Sequence, residues 1–191
     1  MTEFTRRTVL TGGALTTAAT AVAHSPAAAA DAAKMSDFLD LSEFLTGINR
    51  SQLSPFVDVM NVKQTYFDKA DAQNHAAFEE LLKIFKDHKT DPDLGDRIFN
   101  KSGDDVKYLA RDIIIAWYLG AWCNPADLKK YDDGNPSPTA DLLSPDVLTA
   151  NAYTQGYVWR VAQAHPMGYS EMRFGYWNVN PPPLSNFVKL K

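Results

Sequence analysis

Eleven consecutive residues, Ile113 to Cys123, carry no charge, and their apolar side chains keep to no single face. A surface helix shows a polar side, whereas one that is apolar all round is buried on all sides. At about 1.5 Å rise per residue the run spans roughly 16 Å, about half a bilayer core, so it does not cross a membrane. It reads as the central helix of a globular bundle, either wholly enclosed or with one side left for a partner protein. Asp104 and Asp105 stand at its expected start and Asn124-Pro125 at its expected stop, which predicts one helix through Cys123.

The flanking segments are helical too. Ser36 is the expected N-cap of a first helix, with Phe38, Leu41, Phe44, Leu45 and Ile48 at helical spacing and Gly47 and Asn49 at its end. Ser54-Pro55 predicts the start of a second, with Phe56, Val59, Met60, Tyr66 and Phe67 as its stripe. A third is expected from Asp71 to His88, with Phe78, Leu81, Leu82 and Phe85 inward and Glu79–Lys83 as an i,i+4 pair on the wet side. Ser144-Pro145 predicts a last helix, roughly to Ala164, weakened by Gly156. Asp91–Gly95 and Asp132–Pro138 are loops. From His165-Pro166 the chain is expected to be extended, and Pro181-Pro182-Pro183 to be stiff polyproline II. The expected fold is all-α, a small bundle of about five helices with an extended aromatic and Pro-rich C-terminal tail.

The first thirty residues differ from the rest. Thr5-Arg6-Arg7-Thr8-Val9-Leu10 leads into an apolar run of small residues to Ala23, then Ser25-Pro26 and four alanines. A charged start, an apolar middle and an A-x-A cleavage site make an export peptide. The paired Arg6 and Arg7 resemble a twin-arginine signal, read by the Tat translocase. Residues 1–30 are therefore expected to be the signal and residues 31–191 a single helical domain in the periplasm. A composition of 45% hydrophobic and 22% charged residues suits an ordinary soluble domain. The net charge of -4, with no basic cluster in the body of the chain, argues against nucleic acid. A lone cysteine, Cys123, makes no internal disulfide. It is either a small buried apolar residue or a thiol that bridges to another chain.

Catalytic machinery is mostly missing from the sequence. No Gly-rich phosphate or dinucleotide loop, cysteine-based metal site or haem attachment motif occurs. His75 and His88 fall on a polar helix face and read as solvated. Adjacent carboxylates, as in Glu79-Glu80, point to different sides of a helix. No catalytic, cofactor or metal residue is expected in this chain. An alternative function, a stand-alone periplasmic binding or copper-carrying protein, would use His165 and Met167 as soft ligands.

The concentrated signal is aromatic. Six of the 21 residues from Tyr157 to Trp177 are Phe, Tyr or Trp, against 12% for the chain. Tyr, Trp, Met and Arg are the types enriched at protein interfaces. The candidate interface is therefore Trp117, Tyr118 and Trp122 from the central run and Tyr157, Trp159, His165, Pro166, Met167, Tyr169, Arg173, Tyr176 and Trp177 from the tail. The same aromatics could instead cover the bundle core.

The leader, Phe38-Leu39-Asp40-Leu41-Ser42-Glu43-Phe44-Leu45-Thr46-Gly47, Ala116-Trp117-Tyr118-Leu119-Gly120 and the segment from Ala152 to Trp177 together resemble a known family. It is the small subunit of membrane-associated, FAD-dependent sugar and polyol dehydrogenases. Ala164-His165-Pro166-Met167-Gly168-Tyr169 looks most like the sorbitol-type branch. Some relatives carry a cysteine near the position of His165; here the lone cysteine is Cys123. The resemblance implies a large subunit that holds FAD and an iron–sulfur cluster and a multihaem cytochrome c subunit that passes electrons to quinone. It implies a small subunit with no cofactor, needed for maturation and export of the large one. Attachment to the outer face of the cytoplasmic membrane would then run through the partners.

Overall fold

The structure is a computed structural model in which residues 26–132, 145–162 and 188 are described. Arg6 and Arg7, the loop that follows Asp132 and the tail residues from His165 to Trp177 lie outside the described residues.

The fold is mainly α-helical, as expected. Helix α1 runs over Pro26–Thr46 and α2 over Arg50–Leu53. Ser36 does not cap α1 but lies well inside it. The alanines before it are strong helix formers and carry the helix back to Pro26. The Ser36 hydroxyl and carbonyl instead accept from the Arg50 guanidinium, which also pairs with Asp40. These bonds fasten the turn at Gly47, whose positive φ of 74° lets the chain reverse after α1.

Ser54-Pro55 does not start a helix. Residues 54–61 form an irregular loop, and α3 begins only at Val62 and ends at Gln73. Side chains hold the loop's ends together. Asp58 Oδ1 accepts the Asn61 N–H at 2.8 Å, and Lys63 Nζ donates to Ser54 Oγ at 3.0 Å and Asp58 Oδ2 at 2.6 Å. Asp58 thus competes successfully with helix formation for the backbone. The expected helix from Asp71 is also divided. The chain is extended at Asn74, whose side chain caps the new helix α4, His75–His88, by accepting from the Ala77 N–H at 3.1 Å. Glu79 reaches Lys34 of α1 at 2.6 Å, a tertiary ion pair in place of the expected local partner.

A short turn, α5 (Leu94–Asp96), runs into a π turn at Arg97–Lys101 and then α6, Asp104–Leu119. Helix α6 is the centre: it packs against α1, α3 and α4. Val106, Leu109, Ala110, Ile113 and Ala116 are buried along it, while Leu119 is exposed. The predicted helix through Cys123 stops early. Gly120 takes the left-handed conformation, φ 65°, and donates to the Ala116 carbonyl at 2.8 Å. Beyond it, β1 (Ala121–Trp122) pairs antiparallel with β2 (Asp146–Val147), and α7 fills Pro125–Asp132. The expected last helix from Ser144-Pro145 is replaced by β2 and two short helices, α8 (Ala150–Gln155) and α9 (Tyr157–Val161), divided at Gly156.

Both glycines at this junction are required. A Cβ on Gly120 would fall on the Ala152 carbonyl, and one on Gly156 would stand 2.9 Å from the Tyr118 carbonyl oxygen. The end of α6 and the helices α8 and α9 therefore meet backbone to backbone. Aromatic edges complete the core: Phe38, Phe67 and Phe78 stack edge-on at 5.4–5.9 Å, and Tyr66 meets Trp117 at 4.8 Å.

Candidate partner interface

The loop left over from the mistaken second helix is the most exposed apolar feature of the described surface. Phe56 is fully exposed, Val57 and Val59 largely so, and Met60 partly. A helix stripe would have turned these side chains to the core. The Asp58-held loop turns them to water, at a cost of roughly 25 cal/mol per Å² of apolar surface left uncovered. Singly exposed apolar residues are ordinary, but a contiguous set marks a binding surface.

A groove of about 450 Å³ lies beside this loop, between Leu53 of α2, the loop itself, Trp117 of α6 and Tyr157 of α9. Its walls are mixed: Val57, Val59 and Met60 on one side, Gln155 and Arg160 on the other. Three of its lining residues carry buried polar atoms with no hydrogen-bond partner among the described residues: Gln52 Oε1, Trp117 Nε1 and the Tyr157 hydroxyl. Trp117 and Tyr157 are 5% and 4% exposed. Gln52 and Arg160 lie near the Tyr157 hydroxyl without a bond of good geometry. Burial raises the Tyr157 pKa, so the phenol is neutral.

The other candidate aromatics are held elsewhere. Trp122 is buried, with the Lys69 ammonium 5.8 Å above its ring. Tyr118 is half-buried and donates to the Thr46 carbonyl at 3.0 Å, pinning α6 to the end of α1. Trp159 donates to the Tyr153 carbonyl at 2.7 Å and stacks edge-on with that ring. The structure thus brings Trp117 and Tyr157 together behind one groove and sets Trp122 apart. Cys123 is buried with Tyr108 and Leu128. Burial, then the charges of Asp112, Asp127 and Asp146, push its thiol up to about 11.

Two features escaped the sequence. The carboxylate of Asp112 is 0% exposed inside α6, and burial pushes it up to about 7, against the weaker pull of the Cys123 N–H and the Lys69 charge. Asp71, His75 and Glu79 bring ligand atoms within 4.8 Å of one another across the α3–α4 junction. The Lys34 ammonium already bonds both carboxylates, at 2.8 and 2.6 Å. Burial opposes its charge, but those two partners outweigh it and raise the Lys34 pKa. The cluster is an ion-paired surface network.

The start of the central helix does not suit a flavin pyrophosphate. A pyrophosphate seeks a helix N-terminus with free N–H groups. The α6 start at Gly103 has Asp104 and Asp105 in its first turn, which repel an anion.

Among the described residues, no helix is long and apolar enough to cross a membrane. A family model described as membrane-bound FAD-containing D-sorbitol dehydrogenase matches residues 4–132. No curated protein and no solved structure matches significantly.

Proposed function

The chain belongs to the family of the membrane-bound FAD-containing D-sorbitol dehydrogenase, and on that premise we propose that it is the non-catalytic small subunit of a periplasmic complex of this type. It escorts the flavoprotein large subunit: it supports its folding, its export with cofactor loaded, and its stability afterwards. FAD and the iron–sulfur cluster belong to the large subunit and haem c to the cytochrome subunit; this chain holds none of them. The twin-arginine route carries folded cargo, so a flavin inserted in the cytoplasm can travel with it. A small chain that bears Arg6 and Arg7 can carry out a larger one that bears no signal.

The observation that carries this reading is the exposed apolar loop at Phe56, Val57, Val59 and Met60 beside a groove with unpaired polar atoms. A contiguous exposed apolar set of this kind marks a surface for a second protein. Permanent subunits bury more than about 2,000 Å² together, so further surface, including the aromatic residues from His165 to Trp177, joins this loop in the interface.

The test is expression of the catalytic subunit with and without this chain. Flavin-loaded, soluble enzyme in the periplasm is expected only with it. Equal yield in both cases would refute the escort role. Oxidation of sorbitol by the purified, partner-free chain would refute its non-catalytic status.

A further inference from the structure

Asp112 is a carboxyl group enclosed in the bundle beside the joint where the chain leaves α6. Its Oδ1 accepts the Cys123 N–H at 3.1 Å, and its Oδ2 is buried with no partner among the described residues. An ionised carboxylate so placed lacks the donors that water would supply, so its charge is costly to keep there. Lys69 of α3 favours the ionised form, but its ammonium stands 5.8 Å above the Trp122 ring and makes no bond to the open oxygen. Asp127 of α7 and Asp146 of β2 face the Cys123 thiol, as Asp112 does, and Tyr108 of α6 packs on Cys123. Helices α1 and α4, which also pack on α6, bury apolar side chains such as Leu41, Phe78 and Leu81.

The segment that Asp112 holds has few other ties. Gly120, in the left-handed conformation, is its hinge. Its ladder with β2 is two residues long, and the cluster of Tyr108, Cys123 and Leu128 is separate from the main core. The Lys129–Asp104 ion pair beyond it is exposed and contributes little. Units with so few buried contacts open locally at less cost than global unfolding.

We propose that Asp112 is a proton-controlled clasp on the segment from Ala121 to Leu128: with its proton on, the carboxyl holds the segment closed on α6, and loss of the proton makes the segment open more often while the rest of the bundle stays folded. Opening gives the carboxylate the water that the closed state denies it. Burial raises the carboxyl to about 7 from the ordinary 3.8 when the segment is closed. Closure is therefore at full strength below 3.8 and weakens as pH rises towards 7. The clasp changes how often the segment opens and not its resting place, in which Trp122 and Cys123 are buried.

The experiment is native-state hydrogen exchange of the full chain, read by mass spectrometry and corrected for the pH dependence of free-amide exchange. Peptides covering Ala121–Leu128 should lose at least about tenfold in protection between pH 5 and pH 8. Peptides from α4 should be better protected at both values. Urea below the unfolding midpoint should speed exchange in α4 and leave the segment nearly unchanged, because local opening exposes little surface. Asp112→Asn should make the segment's protection independent of pH. Lys69→Met removes a charge that favours the ionised form and should carry the loss to higher pH, a second check should the asparagine variant fail to fold.

Segment protection that does not change with pH in the natural chain would overturn the proposal. So would a loss of equal size in Asp112→Asn, or an unmoved pH course in Lys69→Met. A urea dependence equal to that of α4 would show that the segment opens only when the whole protein unfolds, and would overturn it too.

Discussion

Asp112 accepts the backbone N–H of Cys123 at 3.1 Å, which ties the middle of the central helix to the residue that follows β1. Its second oxygen is buried without a partner among the described residues. The carboxyl group is therefore easier to keep neutral than charged, and this is written into the pH dependence of folding. The folded pKa, about 7, is above the ordinary 3.8. The stabilisation is complete below 3.8 and is lost as pH rises towards 7. Asp112→Asn keeps the accepting oxygen and removes the titration. Between pH 4 and 7 the natural chain should lose up to about 1.4 kcal/mol per pH unit relative to that variant. Urea melts of both proteins across the window check this; parallel curves would refute it.

The glycine that ends α6 should be intolerant of any side chain. Gly120→Ala places a Cβ in a left-handed residue and against the Ala152 carbonyl. The left-handed conformation alone costs about 1–2 kcal/mol, and displacement of α8 adds to it. A loss of about 2–4 kcal/mol in unfolding free energy is expected. A variant as stable as the natural protein would show that α8 does not sit on this turn.

Cys123 should be inert while the chain is folded. Its thiol is buried and raised to about 11, so almost no thiolate forms at neutral pH. Alkylation by iodoacetamide at pH 7.5 should be slow without denaturant and fast in it, as followed by intact mass. A disulfide-linked species containing this chain on a non-reducing gel of the complex would refute the prediction.

Export should depend on both leader arginines. Arg6→Lys with Arg7→Lys is expected to leave this chain and the flavoprotein in the cytoplasm, with at least a tenfold fall in periplasmic dehydrogenase, since a point charge does not replace a guanidinium fork. Cell fractionation with immunoblotting measures it. Export of the flavoprotein beside such a mutant would refute co-transport.

The sequence carried the helical character because long apolar stripes dominate local preference. The inward Phe78, Leu81, Leu82 and Phe85 and the buried middle of α6 followed directly from periodicity. The boundaries failed where one polar side chain outweighed a stripe. Phe56, Val59 and Met60 have helical spacing, but Asp58 binds the Asn61 N–H and holds a loop. Asn74 divided a continuous pattern, although Asn before His-Ala-Ala-Phe is itself a capping signal. Two-residue strands leave no periodic trace, so β1 and β2 were invisible. The groove was half legible: Trp117 and Tyr157 stood out as interface types, but Gln52 did not. Asp112 reads along the chain as the polar shoulder of an apolar run. Only the fold encloses it.

Helix α1 begins at Pro26, upstream of the expected cut after Ala30. Peptidases grip extended substrate, so trimming there would first require Pro26 to Ala30 to unwind. Ala29 to Ala33 are exposed, and a helical stretch that faces solvent unwinds at little expense. The body of the protein would keep its shape throughout, so the expected cut after Ala30 would be compatible with an already folded chain.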